Sequence, residues 1–148
     1  VTNVLNYRNI ALDVRETLTL VDGNWLGDEV VVNGDFATDT DWTKGVGWTI
    51  AGGTAIADGT GAGSALFQTA GLVINNTYAV SYGITDFVSG QVRLEYSSAQ
   101  NTGYKTSLGV FSDVVTPTAS TSSRPVMRSD LFDGSIDNVS IKRIIEVA

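Results

Sequence analysis

The chain has 148 residues, 43% of them hydrophobic, with a formal net charge of −7, which suits one soluble domain that buries about two-thirds of its unfolded surface. Without cysteine there are no disulfides, thiolate zinc sites or cysteine nucleophiles, and without histidine there is no common general base and no usual ligand for zinc, copper or non-haem iron. The negative charge argues against nucleic-acid binding, and no apolar run reaches the roughly eighteen residues of a membrane span.

The first segment has apolar residues that recur at even positions. Five of them alternate with mostly polar neighbours: Ile10, Leu12, Val14, Leu18 and Leu20. This period of two predicts an extended conformation over Ile10–Val21. We take residues 1–28 as an extended N-terminal arm and residues 29–148 as a β-sandwich domain. The arm either adds a strand to its own sheet or pairs with the sheet edge of a neighbouring molecule, and the sequence leaves both open.

From residue 29 onward, short runs of alternating hydrophobicity separated by glycine predict an all-β, antiparallel fold without a long helix. The predicted strands are Glu29–Asn33, Val46–Ala51, Thr54–Ala57, Ser64–Thr69, Thr77–Ile84, Gln91–Tyr96, Thr106–Val115, Arg124–Leu131 and Ser135–Ile145. Asn-Gly or Asp-Gly pairs at 33–34, 58–59 and 133–134 predict tight turns, because these residues tolerate positive φ. Many short strands at this spacing are typical of a sandwich or barrel.

Two of these strands show which side of the sheet is buried. The inward residues are Tyr78, Val80, Tyr82 and Ile84 in the first strand, and Val92, Leu94 and Tyr96 in the second. Such alternation is what a sheet with one buried and one wet face requires. We therefore expect the three tyrosines in the core, where their hydroxyls need only hydrogen-bond partners, and we expect Trp48 there as well.

Two widely separated motifs carry the most specific signal. One is Val30-Val-Val-Asn-Gly-Asp-Phe-Ala-Thr-Asp-Thr-Asp-Trp42, continuing to Gly47-Trp48-Thr49-Ile50; the other is Leu131-Phe-Asp-Gly-Ser-Ile-Asp-Asn-Val-Ser-Ile141. Together they resemble the carbohydrate-binding β-sandwiches grouped with families 4, 9 and 22, a pattern that also occurs in small virion proteins of tailed bacteriophages. The resemblance spans roughly Val30 to Ile145 and implies a galactose-binding-like jelly roll.

This resemblance implies a non-catalytic role. We expect a structural protein of a tailed-phage virion, as a capsid decoration, a head-fibre component or a tail-fibre component. Residues 1–28 would anchor it to other virion proteins, with a cell-surface glycan as a further candidate partner. The alternative is a carbohydrate-binding module or lectin-like adhesin of a secreted, glycan-active protein. Both alternatives are compatible with a homo-oligomer, and fold alone does not decide between them.

Glycan binding in the resembled family depends on aromatic rings that stack on sugar faces. Stacking needs a flat, partly exposed ring. Trp42 and Tyr104 are the best candidates, because each lies in a polar, turn-rich segment rather than in an alternating strand. The alternatives are that Trp42 folds over the end of the sandwich as a lid and that Tyr104 is an ordinary exposed tyrosine.

A structural calcium ion is the other property that the resemblance implies. Related modules hold the ion between the Asn-Gly-x-Phe-Glu turn and an aspartate of the final strand, which corresponds here to Asp137. The expected glutamate is replaced by Ala37, so Asp35 is the substitute ligand. A carboxylate at position 137, among apolar neighbours, needs either an ion or several donors, and backbone N–H groups of the neighbouring turn are the alternative to calcium.

Catalysis is not expected from these residue types. Asp39 and Asp41 lie too close on one acidic loop to enclose a sugar from two sides, as glycoside hydrolysis requires. Serine and threonine are plentiful, but the usual activated nucleophile needs histidine as its base.

Charge is distributed unevenly along the chain. Residues 1–41 carry eight acidic residues against Arg8 and Arg15, whereas residues 124–146 carry four acidic and four basic residues. This asymmetry either keeps the surface soluble or orients a partner or cation. Val1–Ile10 lacks the layout of a signal peptide, so we expect an intact, untargeted chain.

Overall fold

The computed structural model describes residues 19–21, 24–69, 71–98, 100–119 and 123–145. These residues form one all-antiparallel sheet system, which confirms the predicted all-β class. Its strands are β1 (Thr19–Val21), β2 (Asn24–Glu29), β3 (Thr43–Lys44), β4 (Trp48–Ala51), β5 (Thr54–Asp58), β6 (Ala62–Phe67), β7 (Tyr78–Ser97), β8 (Gln100–Asn101), β9 (Gly109–Val115) and β10 (Val126–Ile145). Within these ranges no helix is long and apolar enough to cross a membrane.

The two longest strands, β7 and β10, form the frame of the molecule. Each has 20 residues, and they pair from Val126 opposite Glu95 to Arg143 opposite Tyr78. The other edge of β10 is shared in succession by β6, β5 and β2. Three short strands then extend the sheet: β3 pairs with β6, β4 with β5, and β1 with β2.

The sheet bends where the pairing of β7 with β10 is irregular. Its register shifts between Asp130 and Asp133 and again between Asp137 and Ser140, and such bulges bend and twist a strand. Gly90 allows the closest approach, because it has a φ of 74° and a Cβ there would lie 1.9 Å from the carbonyl oxygen of Leu131. The bent sheet has a sandwich-like shape, and both halves of β7 contribute inward side chains to one core.

One contiguous core fills the space between these halves. Its fully covered members are Ala55, Leu66, Val92, Leu94, Met127, Phe132, Ile136 and Ile141. Tyr78, Tyr82 and Trp48 are buried as predicted, whereas Tyr96 is half-buried and packs against the core. The alternation in the sequence therefore identified the buried face correctly.

In two places, two successive predicted strands form one continuous strand. Thr77–Ile84 and Gln91–Tyr96 belong to β7, and Arg124–Leu131 and Ser135–Ile145 belong to β10. The turn predicted at 133–134 is therefore wrong, because Asp133 pairs with Asp58 and Gly134 with Ala57 inside the sheet. Gly134 serves close packing instead, since a Cβ there would lie 2.3 Å from the carbonyl oxygen of Asp86.

The predicted strand Glu29–Asn33 is also wrong in most of its length. β2 ends at Glu29, and the chain then bends, with Asn33 at a φ of 53°. Part of the predicted arm, residues 19–21 and 24–28, pairs with the domain's own sheet through β1 and β2. The rest of the arm, including most of Ile10–Val21, lies outside the described residues.

Candidate functional site

Trp42 closes one end of the core. Its ring is 6% exposed and lies 5.3 Å from the ring of Phe36, centroid to centroid. The indole N–H donates to the carbonyl oxygen of Asn33 at 2.9 Å, and the Asn33 side chain in turn binds the carbonyl oxygens of Thr38 and Thr40. Asn33 thus ties the loop around the indole. In this position Trp42 presents no open face on which a sugar could stack.

Tyr104 is half-buried, and one of its ring faces is covered by a guanidinium group. The central carbon of the Arg93 guanidinium lies 4.5 Å from the ring centroid, a cation–π geometry. Arg93 also donates through Nε and Nη2 to Oε2 of Glu95, at 3.0 and 2.6 Å. Tyr104 therefore belongs to a charged cluster on the outer face of the sheet.

Glu95 is the centre of this cluster. Arg128 donates through Nε and Nη2 to its Oε1 at 3.0 and 2.8 Å, and reaches the carbonyl oxygen of Gly63 at 2.8 Å. Burial by itself would raise the pKa of Glu95, but Arg128 and Arg93 outweigh it and hold the pKa below the ordinary value. The cluster of Arg93, Glu95 and Arg128 carries one net positive charge. The sequence did not indicate this cluster, because the contact of Glu95 with Arg128 depends on sheet register.

Asp35 and Asp137, the predicted calcium ligands, each accept a backbone N–H from a residue close in the sequence. Asp35 is exposed and accepts the N–H of Ala37 at 3.3 Å, whereas Asp137 is half-buried and accepts the N–H of Asn138 at 2.7 Å. No cluster of three or more potential ligand residues among Asp, Glu, His and Cys occurs in the described parts of the chain. The donor to Asp137 is the N–H of the next residue, so calcium and backbone N–H bonding from a neighbouring turn both stay predictions.

Glu29 lines the same shallow depression as Asp35 and Asn138, and the sequence analysis missed it. Its Oε1 accepts the N–H groups of Val31 at 3.1 Å and Ile141 at 2.6 Å, and its Oε2 accepts the hydroxyl of Ser140 at 2.5 Å. The carboxylate thus fastens the end of β2 to β10. The sequence around Glu29 did not indicate this role, because two of its partners, Ser140 and Ile141, are 111 and 112 positions away.

A cleft of about 280 Å³ opens beside β9, between that strand and residues 102–105. Tyr82, Lys105, Phe111 and Asp113 are among the residues that line it. Lys105 Nζ lies 5.6 Å from the centroid of Phe111 and donates to the carbonyl oxygen of Thr102 at 3.2 Å. The cleft therefore combines an aromatic ring, one cation and one anion.

The hydroxyl of Tyr82 is the most unusual group in this cleft. Tyr82 is 2% exposed, and its hydroxyl makes no hydrogen bond. Burial raises the pKa of this hydroxyl to about 12, and the nearby Thr102 side chain lowers that pKa in part. The hydroxyl is enclosed in the wall of the cleft, where a polar group without a hydrogen-bond partner is costly to the folded state. Sequence analysis placed Tyr82 in the core but gave no sign of the cleft.

The chain matches no protein-family model and no curated protein sequence in these comparisons.

Proposed function

We propose that this chain is a non-catalytic structural protein of a tailed-phage virion, built on a jelly roll. It would act as a capsid decoration, a head-fibre component or a tail-fibre component. The burial of Trp42 is the main support for this proposal. The ring that was the best candidate for glycan stacking closes the core instead, which favours a structural role over glycan binding. Two long strands bent between the halves of a sandwich-like fold support the jelly roll.

Attachment to the particle is assigned to the N-terminal arm in this proposal. β1 and β2 form a hairpin at one edge of the sheet, so the chain preceding Thr19 starts from that edge. An arm that starts at a sheet edge is well placed to pair with another protein. Cell-surface glycan remains a secondary partner of the same protein.

Peptide mass spectrometry on density-purified particles tests this role. We expect peptides of this chain at a fixed stoichiometry to the major capsid protein. The comparison is the soluble fraction of the same culture. Absence from purified particles, with recovery only in the soluble fraction, would overturn the proposal.

A carbohydrate-binding module or lectin-like adhesin is the second candidate function. The cleft beside β9 favours it, because Phe111 offers an apolar ring and Lys105 and Asp113 offer partners for hydroxyl groups. Binding would be measured on a glycan array, with Lys105→Ala as the test variant and Lys44→Ala as its matched control. Binding that Lys105→Ala reduces at least tenfold and Lys44→Ala leaves unchanged would favour this function.

A further inference from the structure

β9 is an edge strand with an apolar outer face. It pairs with β7 on one side, and no strand of the described ranges pairs with its other side. Val110 is 82% exposed and Val114 is 60% exposed, both on the outward face of the strand. Proteins usually guard such edges with charges, proline or bulges, because an unpaired edge is a template for another strand.

The backbone of this strand shows which groups point to the open edge. The N–H of Val114 donates to its neighbour Asp113 Oδ1 at 2.9 Å rather than to β7. Since the pairing of β9 with β7 has no register shift, residues at the same parity behave alike. Val110, Ser112 and Val114 therefore direct their N–H and carbonyl groups away from β7.

We propose that β9 pairs antiparallel with β9 of a second copy of this chain, in a two-fold symmetric dimer centred on Ser112. In this register Ser112 faces its own equivalent, and Val110 faces Val114 of the partner subunit. The two valine pairs cover the most exposed apolar side chains of the edge, and the outward backbone groups pair with one another.

Charge complementarity supports the same register. On the inward face, Phe111 is opposite Asp113 of the partner subunit. Lys105 Nζ lies 5.6 Å from the Phe111 ring, so the partner's Asp113 meets this cation. Symmetry repeats the contact, and each dimer contains two such Lys–Asp contacts.

Two features oppose this association and keep it weak. Each chain carries a net charge of −7, so two copies repel one another. Asp113 must also release the N–H of Val114 before that N–H can pair across the edge. The inference is independent of the proposed function, because it follows from the β9 edge alone.

Cysteine crosslinking tests the register directly, since the natural chain has no cysteine. Residues opposite each other in a hydrogen-bonded antiparallel pair lie about 5.5 Å apart between Cα atoms, within the range of a disulfide. Ser112→Cys should form a covalent dimer under mild oxidation at least tenfold faster than Val110→Cys, which is out of register with its own equivalent. Equal rates for the two variants would overturn the pairing.

The second test exchanges the charges at positions 105 and 113. It uses the natural chain as its background, without the cysteine substitutions. Lys105→Asp should weaken dimerisation in sedimentation equilibrium at least tenfold, and the double variant Lys105→Asp with Asp113→Lys should restore it. Val88→Lys, which alters an equally exposed valine away from the edge, should have no effect. A purely monomeric natural chain, or crosslinking of residues 1–18 to β9, would overturn the proposal.

Discussion

The Glu29 carboxylate accepts the backbone N–H of Ile141 at 2.6 Å, across 112 positions of the chain. This contact joins the end of the β1–β2 hairpin to the C-terminal part of the long strand β10. The contact lies beside Asp35, one of the predicted calcium ligands. The Glu29 side chain links β2 to β10 there through its own hydrogen bonds.

Replacing Glu29 by alanine should loosen this junction. The variant loses one carboxylate that accepts two backbone N–H groups and one hydroxyl, so we expect the free energy of unfolding to fall by about 1 kcal/mol or more. Urea denaturation measures the change, and Asp35→Ala on the neighbouring exposed turn is the control. An effect no larger than that of the control would contradict this role.

Substitutions of Trp42 distinguish a side chain that closes the core from one on which a glycan stacks. The variant keeps an aromatic ring against Phe36 but loses the indole hydrogen bond to Asn33, which should cost about 1 kcal/mol of stability. Trp42→Ala should cost about 3–5 kcal/mol, because it empties part of the core. Thermal unfolding gives both values. A fully stable Trp42→Ala variant with lost glycan affinity would favour a platform instead.

Glu95 should make stability depend on acid. Its pKa is lower in the folded protein than its ordinary value of 4.5, so the folded state binds fewer protons than the unfolded state in that range. Stability from this group is present above pH 4.5 and is lost as the pH falls through the folded pKa. The free energy of unfolding of the natural chain should therefore fall more steeply below pH 4.5 than that of Glu95→Gln. Identical slopes would show that the cluster does not hold the charge.

Tyr82→Phe and Tyr78→Phe form a matched pair. The Tyr82 hydroxyl is buried without a partner, so its removal should leave stability unchanged or slightly higher. The Tyr78 hydroxyl accepts the N–H of Val73 at 2.9 Å, so its removal should cost about 1 kcal/mol. Guanidinium denaturation of both variants decides this. A large loss for Tyr82→Phe would mean that its hydroxyl has a partner in solution.

The raised pKa of Tyr82 also predicts how the stability of the protein changes at alkaline pH. Its folded pKa of about 12 lies above the ordinary value of 10.0, so the folded state holds this proton more tightly than the unfolded state. The associated stability is complete below pH 10 and is lost as the pH rises toward 12. Tyr82→Phe should flatten this part of the stability profile. An unchanged profile would place the hydroxyl in contact with water.

The sequence predicted the faces of the strands more reliably than their connections. The alternation at Tyr78–Ile84 and Val92–Leu94 is a local property of each strand, and the structure confirms it. The turn at 133–134 failed because Gly134 is required by the approach of Asp86, a contact between distant segments. A one-dimensional pattern cannot distinguish a glycine in a turn from a glycine under a neighbouring strand.

The candidate sites were predictable only in part for the same reason. Trp42 was left open between lid and platform, because burial of a loop residue depends on how the loop closes around Asn33. Arg128 is 33 positions from Glu95, and the cleft at Tyr82 needs both β9 and residues 102–105 in place. Each of these features is created by the register of the sheet.

The dependence of the sheet on β10 sets the order in which the molecule can be made. β2, β5, β6 and β7 all pair with this strand, and β10 follows all of them along the chain. A ribosome therefore releases the other nine strands of the described ranges before the strand that pairs with four of them is available. Until residues 126–145 have left the exit tunnel, β2, β5, β6 and β7 lack this partner, and such pairing between distant segments slows folding.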